Sequence, residues 1–172
     1  MCGISFYFSK DKPYDMELRE SLRLTSHRGP DSSGTYFKET KNGFLGLGHN
    51  RLSIIDLSSS GAQPMVTGDI RIIFNGEIYN YKEIRQNLIS RGYSFDTSTD
   101  TEVILKSYAE YGVDCFTLFR GMFTFVIVDE AKDRVFLVRD SLGIKPLYLY
   151  RSDDSLYACS EIKGLKVFPE VD

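Results

Sequence analysis

Histidine and cysteine are scarce in this chain, and each shortage removes a class of function. Only two histidines occur, His27 and His49, and neither stands at metal-ligand spacing from a cysteine. A structural zinc site needs a closed set of nitrogen and sulfur ligands, so no metal site is expected. The three cysteines, Cys2, Cys115 and Cys159, form no CxxC pair, and their odd number argues against a disulfide framework. Lysine and arginine never cluster into a block, and the formal net charge is −3. The basic footprint of a nucleic-acid binder is therefore missing, as is a polybasic stretch for an anionic membrane. No apolar run approaches the ~20 residues of a bilayer span. The N-terminus lacks a basic stretch leading into an apolar one, so no signal peptide is read there. A cytoplasmic location is the default expectation.

What is present is an ordinary globular balance, 42% apolar and 26% charged, over a length that suits one compact domain with a substantial core. Gly3 to Phe8 reads as a strand rich in aromatic residues. A helix is expected from near Asp15, with Met16, Leu18 and Leu22 on one side, ending before Gly29-Pro30. Phe44 to His49 and Ile70 to Phe74 are further strand candidates. Asn80 is expected to cap a helix in a capping box with Glu83, with Ile84 and Leu88 on its inner face and Gly92 at its end. A second helix is expected after Thr99-Asp100, with Asp100 as its cap, Val103, Ile104 and Tyr108 facing inward and Gly112 at its end. Phe123–Val128 and Val135–Val138 form a hairpin whose continuous apolar strands imply two covered faces. Leu147–Tyr150 and Leu156–Cys159 suggest a last hairpin. Many strands with helices that do not alternate regularly point to an α+β domain, sheet on sheet with helices outside.

The chemistry concentrates in four segments. In Met1-Cys2-Gly3-Ile4, loss of the initiator would leave one residue carrying both a thiol and a free α-amine. Their ordinary pKa values, about 8.5 and about 7.7–8.0, let them exchange a proton near neutral pH. The thiolate is the reactive form, so the amine can serve as the nucleophile's own base. Cys115 and Cys159, by contrast, sit among apolar neighbours and read as small buried hydrophobes. The stretch His27-Arg28-Gly29-Pro30-Asp31-Ser32-Ser33-Gly34 reads as a loop leaving the first helix, or as a rigid loop beside the nucleophile. Arg51, in Gly48 to Asp56, could hold a carboxylate through two parallel N–H bonds. In Phe74-Asn75-Gly76-Glu77, Asn-Gly reads either as a tight turn or as an oxyanion pair made of the Asn75 amide and the Gly76 N–H. Glu77 and Asp100 offer carboxylates. Taken together these residues form one site for a small amino acid. Arg51 would take its carboxylate, Glu77 and Asp100 its ammonium, and Cys2 would attack its side-chain amide.

The segments MCGI, HRGPDSSG, GHNRLSIID with GAQPM, FNGEIYNY, STDTEV, FRGMFTFVIVD, RDSLGIKPLY and SEIKGL run in this order through nearly the whole chain. Together they resemble the glutaminase domain of class II glutamine amidotransferases, in the N-terminal nucleophile hydrolase superfamily, and most closely its asparagine synthetase branch. The resemblance implies a four-layer α-β-β-α sandwich over residues 2–172. It implies Cys2 as nucleophile and Asn75 with Gly76 as the oxyanion hole. Arg51, Leu52, Ser53, Ile54 and Ile55 then belong to the glutamine pocket, with Glu77 and Asp100 near the substrate amine. It assigns no specific role to Asp140, Gly143 or Lys145. The activity implied is hydrolysis of L-glutamine to L-glutamate and ammonia, with no cofactor. Asparagine synthetases continue into an ATP-dependent domain with an SGGxDS-type phosphate loop, which is absent from these residues. ATP and Mg would be needed only where such a synthetase domain follows in cis. A homodimer is compatible with this reading. The competing readings are a non-catalytic glutamine-binding or regulatory domain and, less well supported, an N-terminal nucleophile peptidase.

Overall fold

The structure, a computed structural model, describes residues 1–53 and 59–171. The elements in chain order are β1 (Gly3–Ser9), α1 (Asp15–Leu24), β2 (Ser32–Thr40), β3 (Gly43–Arg51), β4 (Met65–Thr67) and β5 (Ile70–Ile78). They continue with α2 (Tyr81–Ser90), α3 (Asp100–Tyr111), β6 (Gly121–Asp129), β7 (Arg134–Arg139), β8 (Tyr148–Arg151), β9 (Ser155–Cys159) and α4 (Ile162–Leu165). They divide into two compact units, one of residues 1–52 with 146–172, the other of residues 53–145.

The first unit holds a five-stranded antiparallel sheet in the order β2-β3-β1-β9-β8. The N-terminal strand β1 is thus interior, paired on both sides, and six of its seven residues are buried. Tyr7, Tyr14, Leu18, Tyr157, Leu165 and Phe168 form its helix-side core, with Tyr157 stacked on Phe168 at 4.4 Å between ring centroids. Leu18 and Leu22 of α1 are buried as expected, but Met16 is 75% exposed. Two helical residues place Met16 about 200° around the axis from Leu18, so it cannot share that face. The segment read as a loop from His27 to Gly34 becomes strand at Ser32, where β2 pairs along β3 with Ser32 opposite Arg51.

The second unit holds a four-stranded antiparallel sheet, β4-β5-β6-β7. Ile72, Phe74, Phe123, Phe125 and Ile127 on one face join Val103, Ile104 and Tyr108 of α3 in a single core. Ile73, Val126 and Val128, whose side chains alternate to the other face, are buried as well. Continuous apolar strands and two covered faces therefore go together here, as the sequence implied. Helix α2 starts at Tyr81 with Asn80 before it, but Asn80 makes no cap bond. Its side chain instead bridges to Leu118 O and Arg120 N–H, both at 3.0 Å, a longer-range use of the same polar groups. Gly92 closes α2 at φ +97°, with its own N–H bonded to Ile89 O and that of Tyr93 to Leu88 O. Asp140 organises the turn after β7. Its carboxylate accepts N–H bonds from Phe123, Leu142, Ile144 and Lys145 at 2.9–3.2 Å. No helix among the described residues is long and apolar enough to cross a membrane.

Candidate active site

In the first unit Cys2 immediately precedes an interior strand. Gly3 is registered against Asn50 of β3. Ile4 exchanges two bonds with Ser160 just past β9, N–H to Oγ and O from N–H, each 3.0 Å. Cys2 is half-buried, and its Sγ faces the Leu52 backbone: it lies 3.6 Å from Leu52 O and accepts from Leu52 N–H at 3.4 Å. Arg28 Nε donates to the carbonyl of Cys2 at 3.0 Å, so the HRGPDSSG segment stands beside Cys2. It gets there because Gly29 presses on β3. A Cβ at Gly29 would sit 2.3 Å from Asn50 O, and Asp31 N–H bonds Arg51 O at 3.1 Å. Arg51 ends β3 and is 8% exposed.

The other two cysteines differ from Cys2 in every respect that matters for reactivity. Both are fully buried. Burial, with a smaller push from Asp114, raises the Cys115 thiol to about 12, and burial also raises Cys159. Neither supplies a thiolate near neutral pH.

In the second unit Asn75 and Gly76 lie inside β5, which runs on to Ile78, so Asn-Gly makes no turn here. The pairing decides where their donors point. Phe123 directs its N–H and C=O to Asp140, on the far side of β6 from β5. Its partner across the ladder is Gly76, which therefore directs its own backbone groups away from β6. Along that outer edge of β5, Phe74 N–H is bonded to Gln63 Oε1 at 2.6 Å and Ile78 N–H to Asp100 Oδ2 at 3.0 Å. The Gly76 N–H lies between these two satisfied donors, aimed the same way. Asn75 is 1% exposed, and its Nδ2 has no hydrogen-bond partner among the described residues. A buried amide donor left unmade costs about 1–3 kcal/mol, so such a group marks a place where a ligand oxygen is expected.

Asp100 opens α3, but the cap is Thr99, whose side chain accepts from Glu102 N–H at 3.2 Å. Glu102 reaches back to the N–H groups of Asp96 and Thr97, fixing the approach to the helix. Asp100 is thereby released from capping and spends one oxygen on Ile78. It is 4% exposed, and burial raises its pKa to about 6; the nearby Glu77 carboxylate adds to the rise while backbone N–H bonds oppose it.

Within the units, then, Cys2 meets Leu52 next to Arg51, and Asp100 bonds Ile78 N–H near Glu77, on the strand that also carries Asn75 and Gly76. Ser53 is half-buried and begins the second unit. Ile54 and Ile55 lie outside the described residues. Sequence reasoning gave no role to Gln63, Arg28 or Glu161. Gln63 occurs in the GAQPM run, and its amide joins Phe74 N–H to Thr101 Oγ1. Nothing local to these residues announces such contacts.

A family model described as "Glutamine amidotransferase domain" matches residues 1–172. The chain belongs to the glutamine amidotransferase domain family. The amidotransferase domain is 42% identical to asparagine synthetase (glutamine-hydrolyzing) 1 of Bacillus subtilis over 97% of its length, and 36% identical to asparagine synthetase (glutamine-hydrolyzing) 3 of the same organism over 99%. It spans 27% and 28% of those proteins, about a quarter of each. Among solved structures it superposes on the glutamine phosphoribosylpyrophosphate amidotransferase of B. subtilis with a TM-score of 0.83, at 19% identity, over 96% of the domain and 43% of that chain. Two antiparallel sheets with their helices thus make up the N-terminal nucleophile hydrolase fold, as the α+β reading expected.

Proposed function

We propose that the domain hydrolyses L-glutamine to L-glutamate and ammonia through Cys2, and passes the ammonia to a synthetase domain in the same polypeptide. The observation that carries this is the pair of donors at Asn75 and Gly76, one buried without a partner and the other aimed along an open strand edge. Family membership and the glutamine-hydrolysing activity in the names of its relatives support the choice of amide.

Removal of Met1 frees the α-amine of Cys2, which takes the thiol proton. The sulfur then attacks the δ-carbonyl carbon of glutamine. The oxyanion forms against Asn75 Nδ2 and Gly76 N–H, each such donor lowering the barrier by about 2.7–4 kcal/mol. The C–N bond breaks as the Cys2 ammonium returns a proton, and ammonia leaves. Water, deprotonated by the same amine, hydrolyses the thioester. Arg51 takes the substrate carboxylate, Glu77 and Asp100 its ammonium, and Leu52 and Ser53 line the pocket. The acceptor chemistry, with its ATP and Mg, belongs to a following domain, and the setting is cytoplasmic.

The test is glutamate release by the chain with a verified Cys2 N-terminus. Activity is expected there, and none in Cys2→Ala with an unchanged circular dichroism spectrum. A chloroketone analogue of glutamine, which alkylates the thiolate with loss of chloride, should add once, at Cys2. Full activity in a protein that retains Met1 would refute the amine's role; activity in Cys2→Ala would refute the whole assignment.

A further inference from the structure

Cys2 is held from behind by a side-chain relay that ends on a residue with no assigned part in the reaction. Arg28 Nε donates to the Cys2 carbonyl at 3.0 Å, and its stem covers Gly3, where an added Cβ would lie 3.5 Å from Arg28 Cδ. The Arg28 side chain is only 10% exposed. Its Nη1 donates to Glu161 Oε1 at 3.1 Å, and its Nη2 is buried with no partner among the described residues. Glu161 is thus the acceptor that sets the guanidinium's orientation. The same Glu161 oxygen meets His27 Nε2 at 2.9 Å, and its other oxygen meets Lys163 Nζ at 3.3 Å. Burial would raise the Glu161 carboxyl, but hydrogen bonds from Arg28, His27 and Lys163 outweigh it and hold the pKa below the usual range. Glu161 follows Ser160, which is stitched to Ile4 by two bonds. The relay therefore closes a ring from the start of β1, through Arg28, to the end of β9.

We infer that Glu161 is a positioning residue for the nucleophile: by fixing Arg28 it fixes the Cys2 carbonyl, and so the directions of the α-amine and the thiol. The physical ground is local. Cys2 precedes the ladder, whose β1 register begins at Gly3, and the bond from Arg28 Nε at 3.0 Å fixes its carbonyl. Rotation about the Cys2 ψ would swing the amine and Cβ together relative to that carbonyl. Attack requires sulfur in reach of the carbonyl carbon, and small misplacements are costly in rate rather than in binding. This inference rests on the glutaminase reading.

The test compares wild type, Glu161→Ala and Glu161→Gln, all with Met1 removed. Gln keeps an oxygen acceptor for Arg28 and discards the charge. Glu161→Ala is expected to lower kcat and the limiting rate of Cys2 alkylation by the chloroketone on the order of 10- to 100-fold. The KM for glutamine should move less than about threefold, because the misplaced group acts in the transition state and not in binding. Glu161→Gln should recover most of the loss. Wild-type rates in Glu161→Ala overturn the inference, as does a loss that Gln fails to restore or that appears in KM instead. Should the wild-type chain neither release glutamate nor take up the chloroketone, the glutaminase reading itself fails and the inference falls with it.

Discussion

Asp100 shows how one buried carboxylate can be costly to the fold and useful to the site. Burial raises its pKa from 3.8 to about 6, so the folded protein binds this proton more tightly than the unfolded chain does. The stability it contributes is therefore complete below about pH 4 and is lost as the pH rises to about 6. The shift of about two units caps the loss at about 3 kcal/mol. Asp100→Asn keeps an acceptor for Ile78 N–H and removes the titration. Urea unfolding should find it more stable than wild type at pH 7.5 and indistinguishable from it near pH 4. In the proposed function the same carboxylate, once ionised, takes the substrate ammonium. The KM for glutamine should accordingly rise as the pH falls below about 6 in wild type, while in Asp100→Asn it should be high throughout and flat across that range. A flat wild-type profile would remove Asp100 from the ammonium site. Asp100 could be singled out by its composition and by its place in Thr99-Asp100-Thr101. Its role as cap could not be ruled out from sequence, because Thr99 is an equally good capping residue and only the observed bond to Glu102 N–H decides between them.

Strand β5 carries Asn75 and Gly76, the proposed oxyanion donors, because of its neighbours as much as its own sequence. Ile70 to Phe74 is legible as a strand, but the Asn-Gly that follows has the composition of a turn. What keeps the chain extended is β6, whose backbone lies so close that a Cβ at Gly76 would sit 2.3 Å from Met122 O and 2.6 Å from Phe123 Cα. Glycine is needed there for proximity. Gly76→Ala should cost about 1–3 kcal/mol in urea unfolding, since the obstacle is backbone that cannot turn aside. Glutamate release should fall more than stability does, because Ile78 N–H and Asp100 are anchored two residues away on the same strand edge. A variant as active and stable as wild type would show that β5 and β6 need not approach so closely. The two long helices and both late hairpins were legible from periodicity and from Gly92 and Gly112. Strand β2 was not, since Pro, Asp and Ser at its start are turn formers and its pairing partner β3 lies further along the chain.

Across the molecule, the order of the strands decides which parts are rigid. The residue next to the nucleophile begins β1, which lies between β3 and β9, so the first strand made is held by the last one. Amide hydrogen exchange should be slowest in β1, β5 and β6 and fastest in the edge strands β2, β4, β7 and β8, where one side of each ladder is open. Rapid exchange in β1 would contradict its interior place. The sequence by itself determined the α+β class and singled out Cys2 among three cysteines, with the polar residues proposed to handle a small amino acid, because composition, periodicity and short motifs are local properties. Only the tertiary structure decided that Arg28 and Glu161 stand behind Cys2, that Gln63 and Asp100 satisfy the donors on either side of Gly76, and that Asn75 Nδ2 has no partner among the described residues. Those contacts join residues up to 133 positions apart, and a hydrogen bond needs its partner within about 3 Å, a distance that no local pattern along the chain encodes.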